Sequence, residues 1–326
     1  MVKLKIRDQT KWEEHRSGWK FALSCLETFN DESGILFDGM LDKNFGYRAV
    51  EKKRVGIIPY REDWIGFIHS SVSLCPFMSK NTTIDSILES AEFLQSLEFC
   101  KGIFTLSEYL AEYVREKLAF AATVVSLKHP TEFPPVNFDI DKFLAGKKVV
   151  HIGNWLRRIT SFFKLDGRSF KKILLLNPRT LGYLAQEMIF YHADNSDLSD
   201  IEMWPHLSDQ EYDNLLSESI VFIHLCDSSA TNTVIECIVR NTPILVNRSK
   251  PVEEYLGNDY PFYYSCLEEA NEKLQNEDLI RVTYEYLANF SGKQELTEHH
   301  FLNGFMNSRI IQNLNQQSNL TNRVHR

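Results

Sequence analysis

Short apolar runs that end in small or polar residues recur along the first part of the chain: Gly34–Phe37 before Asp38 and Gly39, Trp64–Ile68 before His69 and Ser70, and Gly102–Leu106 before Ser107. Runs of this kind read as strands buried on both faces of a parallel sheet, delivering polar groups at their C-terminal edge. Between them the apolar spacing becomes helical, over Thr83–Leu97 and Glu108–Leu118, with Asn81, Thr82 and Thr83 as cap residues for the first helix. The segment His129–Pro135 holds three of the ten prolines, which are excluded from central strands and helix interiors, so a domain boundary is predicted near 135–146. The alternation then restarts, with strands over Lys148–Ile152, Lys172–Leu176, Ile201–Trp204, Ile220–Leu225 and Pro243–Val246. Helices are predicted between them over Thr180–His192, Ser208–Ser217 and Ser229–Arg240, then over Asn271–Leu287 and Thr297–Leu314, with a fraying polar tail, Asn315–Arg326. Strands alternating with helices in two blocks predict an α/β protein of two doubly wound units with a cleft between them. The expected domains are 1–140, 141–300, and a C-terminal helix and tail, 301–326, placed to pack back on the first.

Composition narrows this picture. A chain of 326 residues with 43% hydrophobic content can bury two cores, and 36 Lys plus Arg against 44 Asp plus Glu give net −8. A nucleic-acid partner therefore has no global electrostatic attraction to exploit, and phosphate chemistry must use a local site. The six cysteines stand singly, outside any CxxC or zinc spacing, and read as mostly buried thiols of a reducing compartment. No run of ~18 apolar residues suggests a membrane span, and the charged N-terminus lacks a signal-peptide core, so the expected location is cytoplasmic.

The stretch Ser219–Tyr264 carries the most chemistry. An apolar strand ends at Asp227, and Ser228, Ser229 and Thr231 supply capping hydroxyls to a helix bearing Asn232, Thr233 and Glu236. Free amides at a helix start suit a diphosphate. Asn232 and Glu236, four apart, share one helix face, which places a solvated carboxylate to accept both hydroxyls of a ribose. An ordinary capped helix with a surface glutamate is the plain alternative. Upstream, His151–Arg158 places Gly153 after a strand, where the backbone can approach a ligand, with Arg157 or Arg158 able to clamp a diphosphate.

Ser219–Tyr264 resembles the donor-binding half of GT-B glycosyltransferases, in the group 1, family 4-like superfamily, where a helix carries a glutamate for the nucleotide ribose. Glu236 matches the second position of that family's E-x7-E spacing, and Ser228 stands at the first. The resemblance covers about 140–265 and implies a GT-B fold of two Rossmann-like domains. It also implies transfer of a sugar from a UDP- or GDP-sugar to a carbohydrate or glycoconjugate acceptor, in glycan biosynthesis. A nucleotide-sugar epimerase or hydrolase, or an inactive nucleotide- or carbohydrate-binding module, are the competing functions.

In the first domain His69 is the favoured general base, since it follows a strand and titrates near neutral pH, and Asp38 is the competing carboxylate. His224 reads as structural because it falls inside a predicted strand. His129 and Glu132 lie in the proline-rich segment. No metal is expected: His299 and His300 are adjacent rather than one turn apart, and Asp139–Ile140–Asp141 falls in the linker, which leaves arginines and helix amides to serve the phosphates.

Overall fold

A computed structural model describes residues 2–7, 17–78, 83–167, 169–194 and 198–324; the predicted caps Asn81 and Thr82 lie outside the described residues. The chain divides into two compact units, the first formed by 1–73, 79–132 and 294–326 and the second by 74–78 and 133–293.

The first unit holds five parallel strands, β1 (Leu4–Ile6), β2 (Ile35–Asp38), β3 (Trp64–Ile68), β4 (Cys100–Thr105) and β5 (Val124–Ser126), in sequential order across the sheet. Parallel crossovers are right-handed, so a sheet built in sequential order stacks its connecting helices on one face. That face is one apolar cluster, in which Leu36, Trp64 and Ile68 of the sheet meet Ile84, Ile87, Phe93, Leu110 and Val114 of the connections. The other face is covered by three helices from the ends of the chain, Gly18–Leu26, Glu298–Asn307 and Arg309–Val324. Phe67 and Phe104 stack at 4.8 Å, Phe104 stacks on Phe305 at 5.2 Å, and Trp19 lies 4.9 Å from Phe67. A Cβ on Gly102 would come within 2.4 Å of the Ile310 side chain, so only glycine lets the last helix lie this close to β4. The expected fraying tail is helical through Val324.

The second unit holds β6 (Lys148–His151), β7 (Lys171–Leu175), β8 (Ile201–Trp204), β9 (Ser219–Ile223), β10 (Ile244–Asn247) and β11 (Tyr263–Tyr264), all parallel, in the order β11-β10-β9-β6-β7-β8. Chain order runs outward in both directions from the β6–β9 pair, which is the topological switch point where open α/β sheets form a ligand crevice.

Several expected elements are subdivided. The helix over Thr83–Leu97 is two, Ile84–Leu88 and Ala91–Leu97, because Ser90 takes extended dihedrals and its side chain caps the second. The predicted linker contains the helix Ile140–Gly146, whose start Asp139 caps through bonds from the Asp141 and Lys142 amides. Asn276 likewise ends one helix at Gln275 and caps the next, Glu277–Asn289. The cysteines depart from the expectation of single thiols at one pair: Cys75 and Cys226 form a disulfide across 151 residues of sequence, while Cys25 and Cys237 are buried thiols. A separation of that size leaves no spacing signal to read.

Phe305 contacts both Phe37 and Phe104 and is fully buried. Phe305→Ala should destabilise the protein by about 3–5 kcal/mol, the usual cost of opening a core cavity of that size, measured as a fall in the urea midpoint.

Candidate functional site

At the switch point the chain leaves β6 through Gly153, whose φ is +80°, a left-handed backbone that side chains other than glycine adopt with strain. A Cβ there would meet the Arg157 guanidinium carbon at 2.9 Å, so the glycine is also the floor on which Arg157 lies. Arg157 is 9% exposed; its Nη1 donates to the Trp155 carbonyl at 3.0 Å and its Nη2 to Thr233 Oγ1 at 3.0 Å. Its Nε is buried without a partner. Burial lowers its pKa to about 10, opposed by the nearby Tyr212 and Glu236, and at that value it stays cationic at neutral pH.

Arg158 takes a different position. Its backbone amide donates to the His224 carbonyl, its guanidinium lies 4.0 Å over the Tyr191 ring, and its Nε is buried without a partner. Neither arginine extends into solvent: Arg157 is buried and Arg158 is half-buried.

Beyond β9, Asp227 Oδ1 accepts the Ser228 amide, and Ser228 and Ser229 are buried, with Ser229 Oγ lacking a partner. The following helix is Asn232–Arg240; its N-cap Thr231 makes no side-chain cap bond, so the first-turn amides keep their capacity to bind an anion. The capping role expected of Ser228, Ser229 and Thr231 is therefore not what their hydroxyls do here. Asn247 fixes the strand end from the neighbouring strand, accepting the Leu225 amide at 2.7 Å and donating to the Leu225 carbonyl at 2.9 Å.

Glu236 is not the solvated helix carboxylate expected. It is 4% exposed, and Oε2 accepts a hydrogen bond from the Tyr212 hydroxyl. Burial pushes its pKa up, against the pull of Arg240, the Tyr212 bond and Arg157. Arg240 in turn forms a fully buried ion pair with Asp213, donating through Nε at 3.1 Å and Nη2 at 2.5 Å. The buried face of this helix, all apolar apart from Glu236, Arg240 and Thr233, explains the misreading: a glutamate one turn along from a helix start reads as surface until its partners on the preceding helix, Asp209–Ser217, are placed.

Two histidines line the same strand ends. His151, at the end of β6, is fully buried, and burial with the charge of Arg157 lowers its pKa to about 3. His224 follows β9 rather than lying within it; its Nδ1 is 3.1 Å from the Tyr264 hydroxyl, and burial with the Arg158 charge lowers its pKa to about 4. The apolar run Ile220–Leu225 hid the strand end, so His224 was misplaced and Tyr212 had no motif at all.

In the first unit the two candidate bases separate. Asp38 is 6% exposed; Oδ1 accepts the Met40 amide at 2.9 Å, and Oδ2 accepts Asn44 Nδ2 at 3.0 Å and the Tyr60 hydroxyl at 2.6 Å. His69 lies on the opposite face of the sheet, with Trp19 at 4.3 Å and Phe67 at 6.4 Å. Its Nε2 faces the Gly39 carbonyl at 2.9 Å and therefore carries the proton, which leaves Nδ1 as the unshared nitrogen of the neutral ring. Burial lowers its pKa, more than the nearby Asp42 carboxylate raises it. Asp42 instead accepts the His69 and Ser70 amides and fixes the strand end. His129 is buried against Trp19, and Glu132 accepts from Ser17, so both are packing residues of this unit.

No protein-family model matches the sequence, and no curated protein matches it either. Solved structures do match. Sucrose-phosphate synthase from Thermosynechococcus elongatus superimposes with TM-score 0.59 and 10% identity over 94% of this chain and 77% of its own. A glycosyltransferase from Rickettsia africae gives TM-score 0.56 and 12% identity over 88% and 78%. A mutant of S. aureus TarM, in complex with fondaparinux, alpha-GlcNAc-glycerol and UDP, gives TM-score 0.53 and 13% identity over 76% of this chain and 51% of its own, so the chain spans about half the length of TarM. These likenesses establish the GT-B fold for this chain.

The buried histidines fix a pH dependence. A histidine that is neutral when folded, with its pKa near 3, and ordinary at about 6.5 when unfolded loses stability as pH falls below 6.5, because the unfolded chain takes up the proton first. Each such histidine costs up to about 1.4 kcal/mol per pH unit in that window. Denaturation of His151→Leu between pH 6 and 4 should show a shallower loss of stability than the native chain; parallel slopes would mean that His151 is protonated in the fold.

Proposed function

We propose that the chain is a glycosyltransferase that binds a nucleotide diphosphate sugar at the β6–β9 switch point and transfers the sugar to a carbohydrate or glycoconjugate hydroxyl. One observation carries the reading: at that switch point the uncapped start of the helix Asn232–Arg240 is joined, through Thr233, to a buried arginine lying on Gly153. A helix start adds partial positive charge and free amides, and a guanidinium adds a full charge, which together suit a diphosphate leaving group. Because these groups supply the positive charge, transfer should proceed without a divalent cation.

Within this reading the arginines differ in role. Arg157, held by Thr233 and the Trp155 carbonyl, orients the first helical turn, and Arg158, whose terminal nitrogens make no hydrogen bond among the described residues, contacts the phosphates. Glu236 keeps one oxygen on Tyr212 and offers the other to the ribose. His69, neutral at working pH with Nδ1 unshared, is the base for the acceptor hydroxyl. Asp38, with three hydrogen bonds from its own unit, is set aside for that role.

Thermal-shift screening of the full chain against UDP, GDP, ADP and CMP tests the nucleotide site, since a ligand at ~100 times its dissociation constant stabilises by about 2.7 kcal/mol. A shift by one nucleotide identifies the donor class, and no shift with any of the four refutes the site. Transfer from the matching nucleotide sugar should then persist in excess chelator.

Four variants refine this. His69→Ala should lower turnover by about 10²–10⁴ while leaving nucleotide affinity intact; near-full turnover would remove His69 from the chemistry. Arg158→Lys should weaken nucleotide diphosphate binding without lowering the melting temperature, because the ammonium cannot reproduce the planar fork, whereas Arg157→Lys should lower the melting temperature as well. Glu236→Gln, which keeps an acceptor for Tyr212, should lose on the order of tenfold in nucleotide affinity by calorimetry, and unchanged affinity would refute the ribose contact.

A further inference from the structure

The loop that carries the two arginines is held on the loop leaving β9 by a short antiparallel ladder. Arg157 pairs with Leu225, the Arg158 amide donates to the His224 carbonyl at 2.8 Å, and the Cys226 amide donates to the Leu156 carbonyl at 2.8 Å. Leu156 depends on that bond, because its φ of +56° is a left-handed backbone that a leucine adopts only at an energetic cost. Cys226 thus supplies the rung that holds this turn, and the same residue carries one half of the disulfide.

The other half belongs to a five-residue segment, Leu74–Met78, which is part of the second unit although the chain up to Ser73 is part of the first. Within it the Met78 amide donates to the Cys75 carbonyl at 2.9 Å, and Cys75 is 1% exposed. The Phe77 ring lies 6.4 Å from both Phe190 and Tyr191, at the end of the helix Pro178–Tyr191. Tyr191 is the ring over which the Arg158 guanidinium lies. The segment therefore reaches Arg158 by two routes: through Cys226 to the ladder that fixes its backbone, and through Phe77 to the ring that supports its side chain. Phe77 is only half-buried and Phe190 is 47% exposed, so the aromatic contact removes little area from water, and the disulfide is the strong tie.

We infer that the Cys75–Cys226 bond is a thiol–disulfide switch on the arginine loop. Oxidised, it clamps residues 74–78 beside Tyr191 and keeps Arg158 in place; reduced, it frees the segment and lets the loop relax out of the turn at Leu156. Cys226 is half-buried and Cys75 buried, so the thiolate of a dithiol reductant attacks Cys226 Sγ. The S–S bond breaks, Cys75 leaves as a thiolate and takes up a proton, and the reductant is joined to Cys226. Its second thiol then displaces Cys226, so the reductant ends as a cyclic disulfide and the protein as two thiols. The effect on the loop is independent of any ligand, whereas the effect on nucleotide binding rests on the function proposed above.

The test compares the full chain after oxidised glutathione and after dithiothreitol, with alkylation under denaturant counting the free thiols, four in the first state and six in the second. Hydrogen exchange then reads the loop without any ligand. Reduction should speed exchange at least tenfold in peptides covering 154–160 and 224–228, and leave peptides covering β3 and β7 unchanged. Calorimetric titration with UDP and with GDP should show affinity about tenfold weaker in the reduced chain; if neither binds the oxidised chain, the nucleotide reading fails while the exchange data still decide the switch. Cys75→Ser should show the fast-exchanging loop with or without dithiothreitol, and if that variant does not fold, reduction of the native chain decides alone. Exchange at 154–160 and 224–228 unchanged by complete reduction, or a bond that dithiothreitol does not open in the folded chain, would overturn the proposal.

Discussion

Parallel strands are joined only by right-handed crossovers, and the order in which those crossovers lay strands down decides where each unit can bind anything. In the first unit the order is sequential, so connecting helices cover one face and the chain must find other material for the second. It uses its two ends, the helix Gly18–Leu26 and the pair Glu298–Asn307 and Arg309–Val324, whose Trp19, Phe301 and Phe305 bury Phe37, Phe67 and Phe104. In the second unit the order reverses between β6 and β9, and the two loops leaving those strands diverge. Gly153, Arg157 and the start of the helix Asn232–Arg240 meet there because the topology opens a gap at that place and at no other strand pair of the sheet.

The buried charges of the second unit follow from the same geometry. A helix packed across the switch point has little surface left, so Glu236 and Arg240 must be satisfied from the neighbouring helix, by Tyr212 and Asp213. Removing one member of such a set leaves a charge without compensation, which is why a single alanine there tests stability as much as binding.

Strand existence was legible because buried parallel strands are uninterrupted apolar runs; Trp64–Ile68 matches residue for residue. The short edge strands β1, β5 and β11 carry two or three residues each, too few to show a period against their flanks. Gly153 and the arginines stood out as candidates because they follow a strand end, and Glu236 because it lies four residues past Asn232 on one helix face. Their burial was not legible, since the exposure of Glu236 depends on Tyr212, 24 residues away, and the separation of Asp38 from His69 depends on which face of the sheet each residue meets. Long-range pairs have no period in the sequence.

The disulfide between Cys75 and Cys226 closes a covalent ring that runs out through 79–132 of the first unit and back through 133–225 of the second. Neither unit is then a separable length of polypeptide: a cut anywhere inside the ring leaves the fragments joined until the bond is reduced. The denatured chain is a loop rather than a line, and in the chain-entropy account a ring of this size disfavours the unfolded state by on the order of 5 kcal/mol. The thiol–disulfide state of one bond therefore sets whether the protein can be divided at all, and how much disorder it gains on unfolding.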